Sequence, residues 1–342
     1  MVFDAFLLFF STLLTSAILV FICRYLAIKF GLFLDLPNHR SSHVRAIPRC
    51  GGVPIIIVFF FVLLGFLGAG SHKIIGYYAG GLFIALVGLL DDLFGLKGKQ
   101  KIIGMVLSSL IPIFFGLKLE HLTFFTNNPI LLTILTLIWI YGMINAFNFM
   151  DGIDGLVSGL SLIFAVFIAV FAFLTSNIFV FFAAITLAAA CMGFLFFNFN
   201  PSSIFLGDIG SMFLGYNMAM LSIMLVNQSK NIIPIYSLVL IFVPIVYDSM
   251  FTFIKRALQK KNVIEAHREH FYQRMVVSGL SHGKVSLIYY FLALVFGLQG
   301  YLFALYGVIV KITIFISSIA ILIIFSVTVK QIELSFQGKK DE

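Results

Sequence analysis

Long apolar runs, broken by short polar and charged segments, are the main pattern along the chain. The runs lack the alternation of a membrane β-strand and exceed its length, so they predict helices. A membrane-spanning helix needs about 20 mostly apolar residues, and about eleven runs approach that length. The predicted spans are residues 5–27, 52–70, 74–92, 102–117, 130–147, 155–175, 178–198, 210–227, 232–254, 285–309 and 312–329. We therefore predict an all-α, polytopic membrane protein with about eleven transmembrane helices, ten being the alternative count.

The connections between these spans are too short to hold a soluble domain. The longest, residues 255–284, has about 30 residues, well below the size of an independent domain. We expect residues 1–342 to form one integral membrane domain in the lipid bilayer. The composition agrees, because 61% of the residues are hydrophobic and 11% are charged. That balance excludes a soluble enzyme, a disordered protein and a peripheral protein with a single anchor.

The 22 basic residues divide unequally between alternate loops, with 18 on one side of the predicted bilayer and four on the other. The positive-inside rule makes the first side cytoplasmic, which places the N-terminus outside and the C-terminus inside. The cytoplasmic loops are then about 28–51, 91–101, 147–155, 198–210 and 255–284. The net charge of +8 thus indicates orientation, and we expect no nucleic-acid partner.

Twelve of the 14 acidic residues lie on or near the same side, which the positive-inside rule does not require. Asp91 and Asp92 end the third predicted span. Two adjacent carboxylates repel each other unless a cation neutralises them, so the pair suits Mg²⁺ binding or base chemistry beside a metal. A charged stop after a span would also explain this motif taken alone.

A second acidic motif lies between the fifth and sixth predicted spans. It contains Asn145, Asn148, Asp151 and Asp154, each three residues after the last. Where the backbone is helical, this spacing puts the side chains on one face. Amide and carboxylate oxygens are hard ligands that suit Mg²⁺. A structural turn would not need four such groups, so we favour a functional role.

Two further acids are less specific. Asp208 lies between Gly207 and Gly210, just before the eighth predicted span. It could cap the helix that follows, or the same helix end could receive a phosphate. Asp248 lies within the ninth span, where a carboxylate is costly unless it is paired. We expect a helix-packing or supporting role for Asp248.

Two of the predicted cytoplasmic loops are rich in histidine and arginine. Such donors suit phosphate oxygens, although a solvated positive loop would look similar. A metal site at His267 and His270 is a weaker alternative, since no further ligand completes it. The candidate substrate-binding residues are Lys101, Asn145, His43, Arg49, His267, Arg268, His270 and Arg274. Together with the acids, these residues point to phosphoryl transfer at the membrane surface, with a lipid phosphate as acceptor.

These motifs resemble those of the polyprenyl-phosphate N-acetylhexosamine-1-phosphate transferases, which form glycosyltransferase family 4. The resemblance runs from about residue 35 to residue 274. It implies transfer of N-acetylhexosamine 1-phosphate from a UDP-sugar, UDP-N-acetylhexosamine, to undecaprenyl phosphate, with release of UMP. It also implies Mg²⁺ as cofactor, with Mn²⁺ as a substitute, and makes a homodimer plausible. The location would be the bacterial cytoplasmic (inner) membrane, with the active site facing the cytoplasm.

Residue by residue, the resemblance implies that Asp91 deprotonates or positions the lipid phosphate, with Asp92 beside it. Asn148 and Asp208 match the Mg²⁺ ligands, and Lys101 matches the basic residue after the aspartate pair. It assigns Asp151 and Asp154 to the catalytic centre near the metal and the nucleotide base, and residues 267–274 to the loop around the diphosphate and sugar. A direct attack and a covalent aspartyl intermediate both stay open.

Residues 37–43 and 267–274 look most like those of bacterial O-antigen initiating transferases. The muramoyl-pentapeptide transferases of peptidoglycan synthesis are the alternative within the family, but their histidine triplet is absent here. Cys50 is a departure, since many relatives have a third glycine before Gly51 and Gly52. An ion-coupled transporter is the alternative from another class, and a scaffold without catalysis is a third. The clustering of acids at one membrane face, away from the midplane, argues against transport, and the sequence leaves the donor sugar open.

Overall fold

The chain folds as twelve α-helices in the part that the computed structural model describes, namely residues 2–35, 46–68, 70–122, 126–229, 233–262 and 268–341. Two-residue strands, β1 (Leu34–Asp35) and β2 (Ile47–Pro48), pair antiparallel between the first two helices. The helices are α1 (Val2–Phe30), α2 (Gly52–Leu67), α3 (His72–Phe94), α4 (Gly98–Phe114), α5 (Pro129–Met150), α6 (Leu156–Leu174), α7 (Ile178–Asn198), α8 (Gly207–Gln228), α9 (Ile235–Leu258), α10 (Phe271–Val277), α11 (His282–Leu305) and α12 (Val308–Asp341). His43 and His267 lie outside the described residues.

The all-α, polytopic class predicted from the sequence is confirmed, and each predicted span corresponds to a helix. Within the described ranges, nine helices are long and apolar enough to cross a membrane. Helices α2 and α4 are shorter, with 16 and 17 residues. The pattern of apolar runs did not predict α10, which lies in a segment assigned to a polar loop. It also ended the last span at residue 329, whereas α12 continues to Asp341.

Helix α8 lies at the centre of the bundle. Its apolar stretch is buried throughout, and it packs against α2, α3, α5, α6 and α7. Helices α1 and α12 lie at the periphery and leave most of their apolar surface exposed. Exposed apolar helix surface is the expected state for a protein whose solvent is lipid. The core therefore surrounds α8, and the residues at the two ends of α8 are held by several helices at once.

Helix α3 approaches the start of α8 very closely because Gly88 has no side chain. A Cβ atom at Gly88 would lie 2.5 Å from the Ile209 Cα atom and 2.6 Å from the Asp208 carbonyl oxygen. Further along the same pair of helices, Tyr77 donates a hydrogen bond to Asn217, whose amide in turn donates to the Phe213 carbonyl at 2.8 Å. Small residues and buried hydrogen bonds are the usual means of holding helices together in a membrane. These contacts bring the end of α3 against the beginning of α8.

Asp154 ties together three segments at the end of the bundle. Its carboxylate accepts hydrogen bonds from Asn200 Nδ2 at 2.8 Å and from Ser202 Oγ at 2.8 Å, and His282 Nδ1 lies 3.5 Å away. Its carbonyl accepts from Ser286 Oγ at 2.8 Å. Burial alone would raise the pKa of Asp154, but hydrogen bonds from His282, Asn200 and Ser202 lower it to about 2. The ionised carboxylate therefore stabilises the junction of the α5–α6 loop, the α7–α8 loop and α11.

The close approach of α3 and α8 predicts opposite effects for two glycine substitutions. Gly88→Ala should lower the thermal stability, because its methyl group would overlap the α8 backbone. Gly142→Ala in α5 is the matched control, since nothing lies within 4 Å of a Cβ atom there. Alanine is favoured over glycine within a helix by about 1 kcal/mol, so the control should be neutral or stabilising. Thermal unfolding in detergent measures both variants, and equal stability of the two would contradict the packing described.

The lowered pKa of Asp154 predicts how the stability of the protein depends on pH. A carboxyl group whose pKa falls from 3.8 to about 2 on folding contributes about 2 kcal/mol to the free energy of unfolding. This contribution is complete above about pH 4 and is lost as the pH falls toward about 2. The difference in stability between the native protein and Asp154→Asn should therefore shrink as the pH falls from about 4 toward about 2.

Denaturant unfolding at a series of pH values gives this difference directly. Glu120→Gln is the control, because Glu120 pairs with Lys73 where both side chains are about half exposed. Exposed ion pairs contribute little, so this variant should differ only slightly from the native protein. A pH-independent difference for Asp154→Asn would show that the charge of Asp154 does not stabilise the fold.

Candidate active site

Asp92 connects the end of α3 to the first turn of α8. Its two carboxylate oxygens accept hydrogen bonds from the backbone N–H groups of Asp208 and Ile209, both at 3.0 Å. The N-terminal N–H groups of a helix have no partner within the helix, and they favour negative charge. Asp92, and not Asp208, therefore accepts hydrogen bonds from the N–H groups at the start of α8. The capping role considered for Asp208 is not seen. Its own carboxylate is left for other contacts.

The Asp208 carboxylate accepts hydrogen bonds from side chains of two further helices. Lys101 Nζ of α4 lies 2.6 Å from Asp208 Oδ2 and 2.6 Å from Asp91 Oδ2. Asn148 of α5 donates from Nδ2 to Asp208 Oδ1 at 3.0 Å and to Ser211 Oγ at 3.1 Å. Asp91 also accepts from the Leu96 N–H group at 2.8 Å. Side chains from α3, α4, α5 and α8 thus meet at one point, which we call the Asp208 cluster: Asp91, Asp92, Lys101, Asn148, Asp208 and the nearby Arg49 and Asp151.

Arg49 reaches the Asp208 cluster from the segment that follows β2. Its Nη2 atom lies 3.8 Å from Asp92 Oδ1 and 4.0 Å from Asp208 Oδ1, and its side chain is about half exposed. The segment is fixed by backbone hydrogen bonds from Gly51 to the Phe205 carbonyl and from Gly52 to the Leu206 carbonyl. Arg49 therefore supplies a positive charge at the accessible side of the cluster.

Asp151 follows the last turn of α5, one turn beyond Asn148. Burial, together with repulsion from the carboxylates of Asp208 and Asp92, raises the pKa of Asp151 to about 8, although Arg49 opposes the shift. Asp151 is therefore the acid in the Asp208 cluster that most readily holds a proton near neutral pH. Asn145 lies one turn before Asn148 on the same helix and is partly buried.

The donor set at the Asp208 cluster fits a magnesium ion. Mg²⁺ is usually held by one or two protein oxygens together with phosphate and water oxygens. Asp208 and Asn148 would supply the protein oxygens, and the position of Lys101 between Asp91 and Asp208 shows that this point favours positive charge. Among the described residues, no three His, Cys, Asp or Glu side chains group closely enough to hold a metal by themselves. The cluster therefore suits a metal that binds together with a phosphate ligand, and not a structural metal.

The other predicted site residues are arranged differently. Asp154 is engaged by Asn200, Ser202 and His282, and these partners lie outside the Asp208 cluster. Arg274 of α10 forms two hydrogen bonds of 2.6 Å to Glu333 of α12, so its guanidinium group is paired within the protein. Arg268 is exposed just before α10.

His270, at the start of α10, is buried and packs beside the α5 segment that carries the cluster. The rings of His270 and Phe149 lie 5.9 Å apart, and Tyr272 Oη donates to the Phe149 carbonyl at 2.8 Å. Tyr272, Ser211 and Glu333 were not predicted as site residues from the sequence, although Tyr272 lies within residues 267–274. Their partners are distant in sequence, and no local pattern identifies such pairs.

The middle of the chain matches a known family model. Residues 74–226 match the model described as glycosyl transferase family 4. This range contains Asp91, Asp92, Lys101, Asn148 and Asp208, which form the centre of the cluster.

Several curated proteins resemble the chain over most of its length. A probable undecaprenyl-phosphate N-acetylglucosaminyl 1-phosphate transferase of Bacillus subtilis is 33% identical over 85% of this chain and 82% of the relative. An undecaprenyl-phosphate alpha-N-acetylglucosaminyl 1-phosphate transferase of Thermotoga maritima is 31% identical over 85% of this chain and 86% of the relative. A phospho-N-acetylmuramoyl-pentapeptide-transferase of Staphylococcus haemolyticus is 29% identical over 76% of this chain and 86% of the relative. These similarities confirm the resemblance inferred from the motifs, and the chain belongs to glycosyl transferase family 4.

Proposed function

We propose that the protein transfers N-acetylhexosamine 1-phosphate from a UDP-sugar to undecaprenyl phosphate and releases UMP. The observation that carries this proposal is the Asp208 cluster, where carboxylates, an amide and two cations meet at the ends of membrane helices. The relatives named as undecaprenyl-phosphate N-acetylglucosaminyl 1-phosphate transferases support this acceptor and favour N-acetylglucosamine as the sugar. The product would begin a lipid-linked cell-surface polysaccharide of the O-antigen type.

The reaction exchanges one diphosphate bond for another. An oxygen of the lipid phosphate attacks the phosphorus atom next to the sugar, and the bond from that phosphorus to the bridging oxygen of UMP breaks. UMP leaves with the bridging oxygen, and no water is consumed. A bound Mg²⁺ would neutralise the charge that develops on the diphosphate oxygens.

The residues of the cluster supply the remaining positioning and charge. Lys101 and Arg49 place positive charge next to Asp208 and Asp92, where the phosphate groups would lie. The second pKa of a phosphate monoester is about 6, so the lipid phosphate is largely ionised at neutral pH. Asp91 already accepts hydrogen bonds from Lys101 and Leu96. We therefore assign Asp91 to orienting Lys101 and the lipid phosphate, in preference to removing a proton.

The position of the cluster explains how a lipid and a soluble nucleotide could meet. It lies where α3 and α5 end and where α4 and α8 begin. The excess of basic residues in the loops at this end supports a position at the cytoplasmic face of a bacterial inner membrane. The polyprenyl chain would remain among the helices, while the UDP-sugar arrives from the cytoplasm.

Transfer of a muramoyl-pentapeptide is the second candidate, because transferases of that type are also similar to this chain at 29% and 30% identity. The two candidates share the acceptor, the metal and the chemistry of the diphosphate. They differ only in the group carried by the donor, so a comparison of donors separates them.

The first prediction of this proposal is the reaction itself. The purified protein should release UMP and form a lipid-linked sugar when given undecaprenyl phosphate, Mg²⁺ and UDP-N-acetylglucosamine. UDP-N-acetylgalactosamine and UDP-N-acetylmuramoyl-pentapeptide serve as competing donors in parallel reactions. Preference for the pentapeptide donor would assign the second candidate, and no UMP from any donor would refute the proposal.

The second prediction concerns the cluster. Asp208→Asn should lower kcat by about 100-fold or more, because it removes a carboxylate that would hold the metal ion next to the phosphates. Asp92→Asn and Asp151→Asn should also reduce activity, and all activity should disappear with a chelator and return with Mg²⁺. Mn²⁺ should replace Mg²⁺ in part.

Glu120→Gln is the matched control for these variants, since it removes a carboxylate paired with Lys73 outside the cluster. Its kcat should stay close to that of the native protein, because exposed ion pairs contribute little. Initial rates of UMP release over a range of Mg²⁺ concentrations give both kcat and the metal requirement. Full activity in all three aspartate variants would show that the cluster is not the active site.

A further inference from the structure

Asp248 is a buried carboxylate within the membrane-spanning helix α9. Its side chain is fully inaccessible. A carboxylate at such a position is costly unless several donors surround it. The proposed chemistry does not use Asp248 directly, so its presence needs a separate explanation.

The donors around Asp248 come mainly from the start of α10. The N–H groups of Phe271 and Tyr272 donate to its two oxygens at 2.9 and 3.3 Å. His270 Nδ1 lies 3.1 Å from Oδ1, and the hydroxyl group of Tyr289 donates to Oδ2. His270 Nδ1 donates to Oδ1 in the tautomer that carries its proton there, so that all four groups then share Asp248 as their acceptor.

Asp248 thereby fixes the contact between α10 and the α5 segment of the Asp208 cluster. His270 packs against Phe149, and Tyr272 Oη donates to the Phe149 carbonyl at 2.8 Å. Gly152 lies directly under Tyr272, so that a Cβ atom there would be 2.2 Å from the hydroxyl oxygen. Phe149 follows Asn148, and Gly152 follows Asp151. The start of α10 therefore packs against the residues that follow Asn148 and Asp151, two members of the cluster.

We propose that Asp248 is a positioning residue that holds the His270 ring in one orientation and tautomer and seats the start of α10 beside Asn148 and Asp151. This inference rests on the proposed function, together with the family resemblance, which assigns residues 267–274 to the loop around the diphosphate and sugar. Asp248 itself does not touch the substrate. Loss of Asp248 should therefore impair the reaction through His270, and not through a general loss of the fold.

A double-mutant cycle tests this coupling. Asp248→Asn should lower kcat by about 10- to 100-fold, the usual cost of removing a residue that orients an active histidine. His270→Ala should lower kcat at least as much, and the double variant should be no worse than His270→Ala alone. Glu120→Gln is the control, since it changes a carboxylate whose partner is Lys73, and not Asp248 or His270. The factor by which this control changes kcat should multiply with the factor for His270→Ala.

Hydrogen exchange measured by mass spectrometry tests the seating of α10 without any need for activity. The peptide containing residues 270–277 should exchange faster in Asp248→Asn than in the native protein. His270→Asn provides a second variant that leaves Asp248 intact, because its side-chain amide can donate from about the position of Nδ1. It should keep the slow exchange of α10 but lose activity, whereas His270→Ala should lose both.

The possible results separate this inference from the proposed function. The positioning role would be overturned if the losses of kcat in Asp248→Asn and His270→Ala multiplied in the double variant. It would also be overturned if hydrogen exchange of α10 were unchanged in Asp248→Asn. If Asp248→Asn does not fold, equal exchange of α10 in His270→Asn and His270→Ala would overturn it. An inactive native protein would refute the proposed function, and the exchange results would still decide whether Asp248 seats α10.

Discussion

The contact between the Asp92 carboxylate and the first N–H groups of α8 is the interaction on which the site depends. It joins the end of one membrane helix to the beginning of the most buried helix in the bundle. The contact requires that α3 approach the α8 backbone closely, which Gly88 permits. Gly207 adopts a φ of +77° at the turn into α8, a conformation that favours glycine. The two glycines and the carboxylate therefore act together to present Asp208 to the other helices.

The same physical problem recurs at Asp154 and Asp248, where a carboxylate is buried in a largely apolar protein. In each case the carboxyl group accepts hydrogen bonds from other segments. At Asp154 this joins two loops to α11, and at Asp248 it joins α9 to α10. The acids of this chain thus have two roles. Some hold helices and loops in place, and those of the Asp208 cluster are available for chemistry.

The sequence predicted the helical spans well because an apolar run long enough to cross a bilayer is a local signal. It also identified the acids of the cluster, since they fall at the ends of spans predicted to share one face. It could not separate Asp154 from Asp151, although the two are three residues apart in one motif. Their environments differ because Asn200, Ser202 and His282 reach only Asp154. The short helix α10 and the pairing of Arg274 with Glu333 were missed for the same reason, since both depend on contacts between distant segments.

The balance of charge in the Asp208 cluster bears on the order in which ligands could bind. Three carboxylates, Asp91, Asp92 and Asp208, face two cations, Lys101 and Arg49, while Asp151 is the acid that most readily holds a proton. The excess negative charge would repel a free diphosphate, because like charges in a partly buried site are weakly screened. A divalent cation removes that repulsion and at the same time supplies a ligand position for the phosphate oxygens. On the proposed function, the UDP-sugar would therefore bind together with its metal ion, and Arg49 at the accessible side would make the first contact with the phosphates.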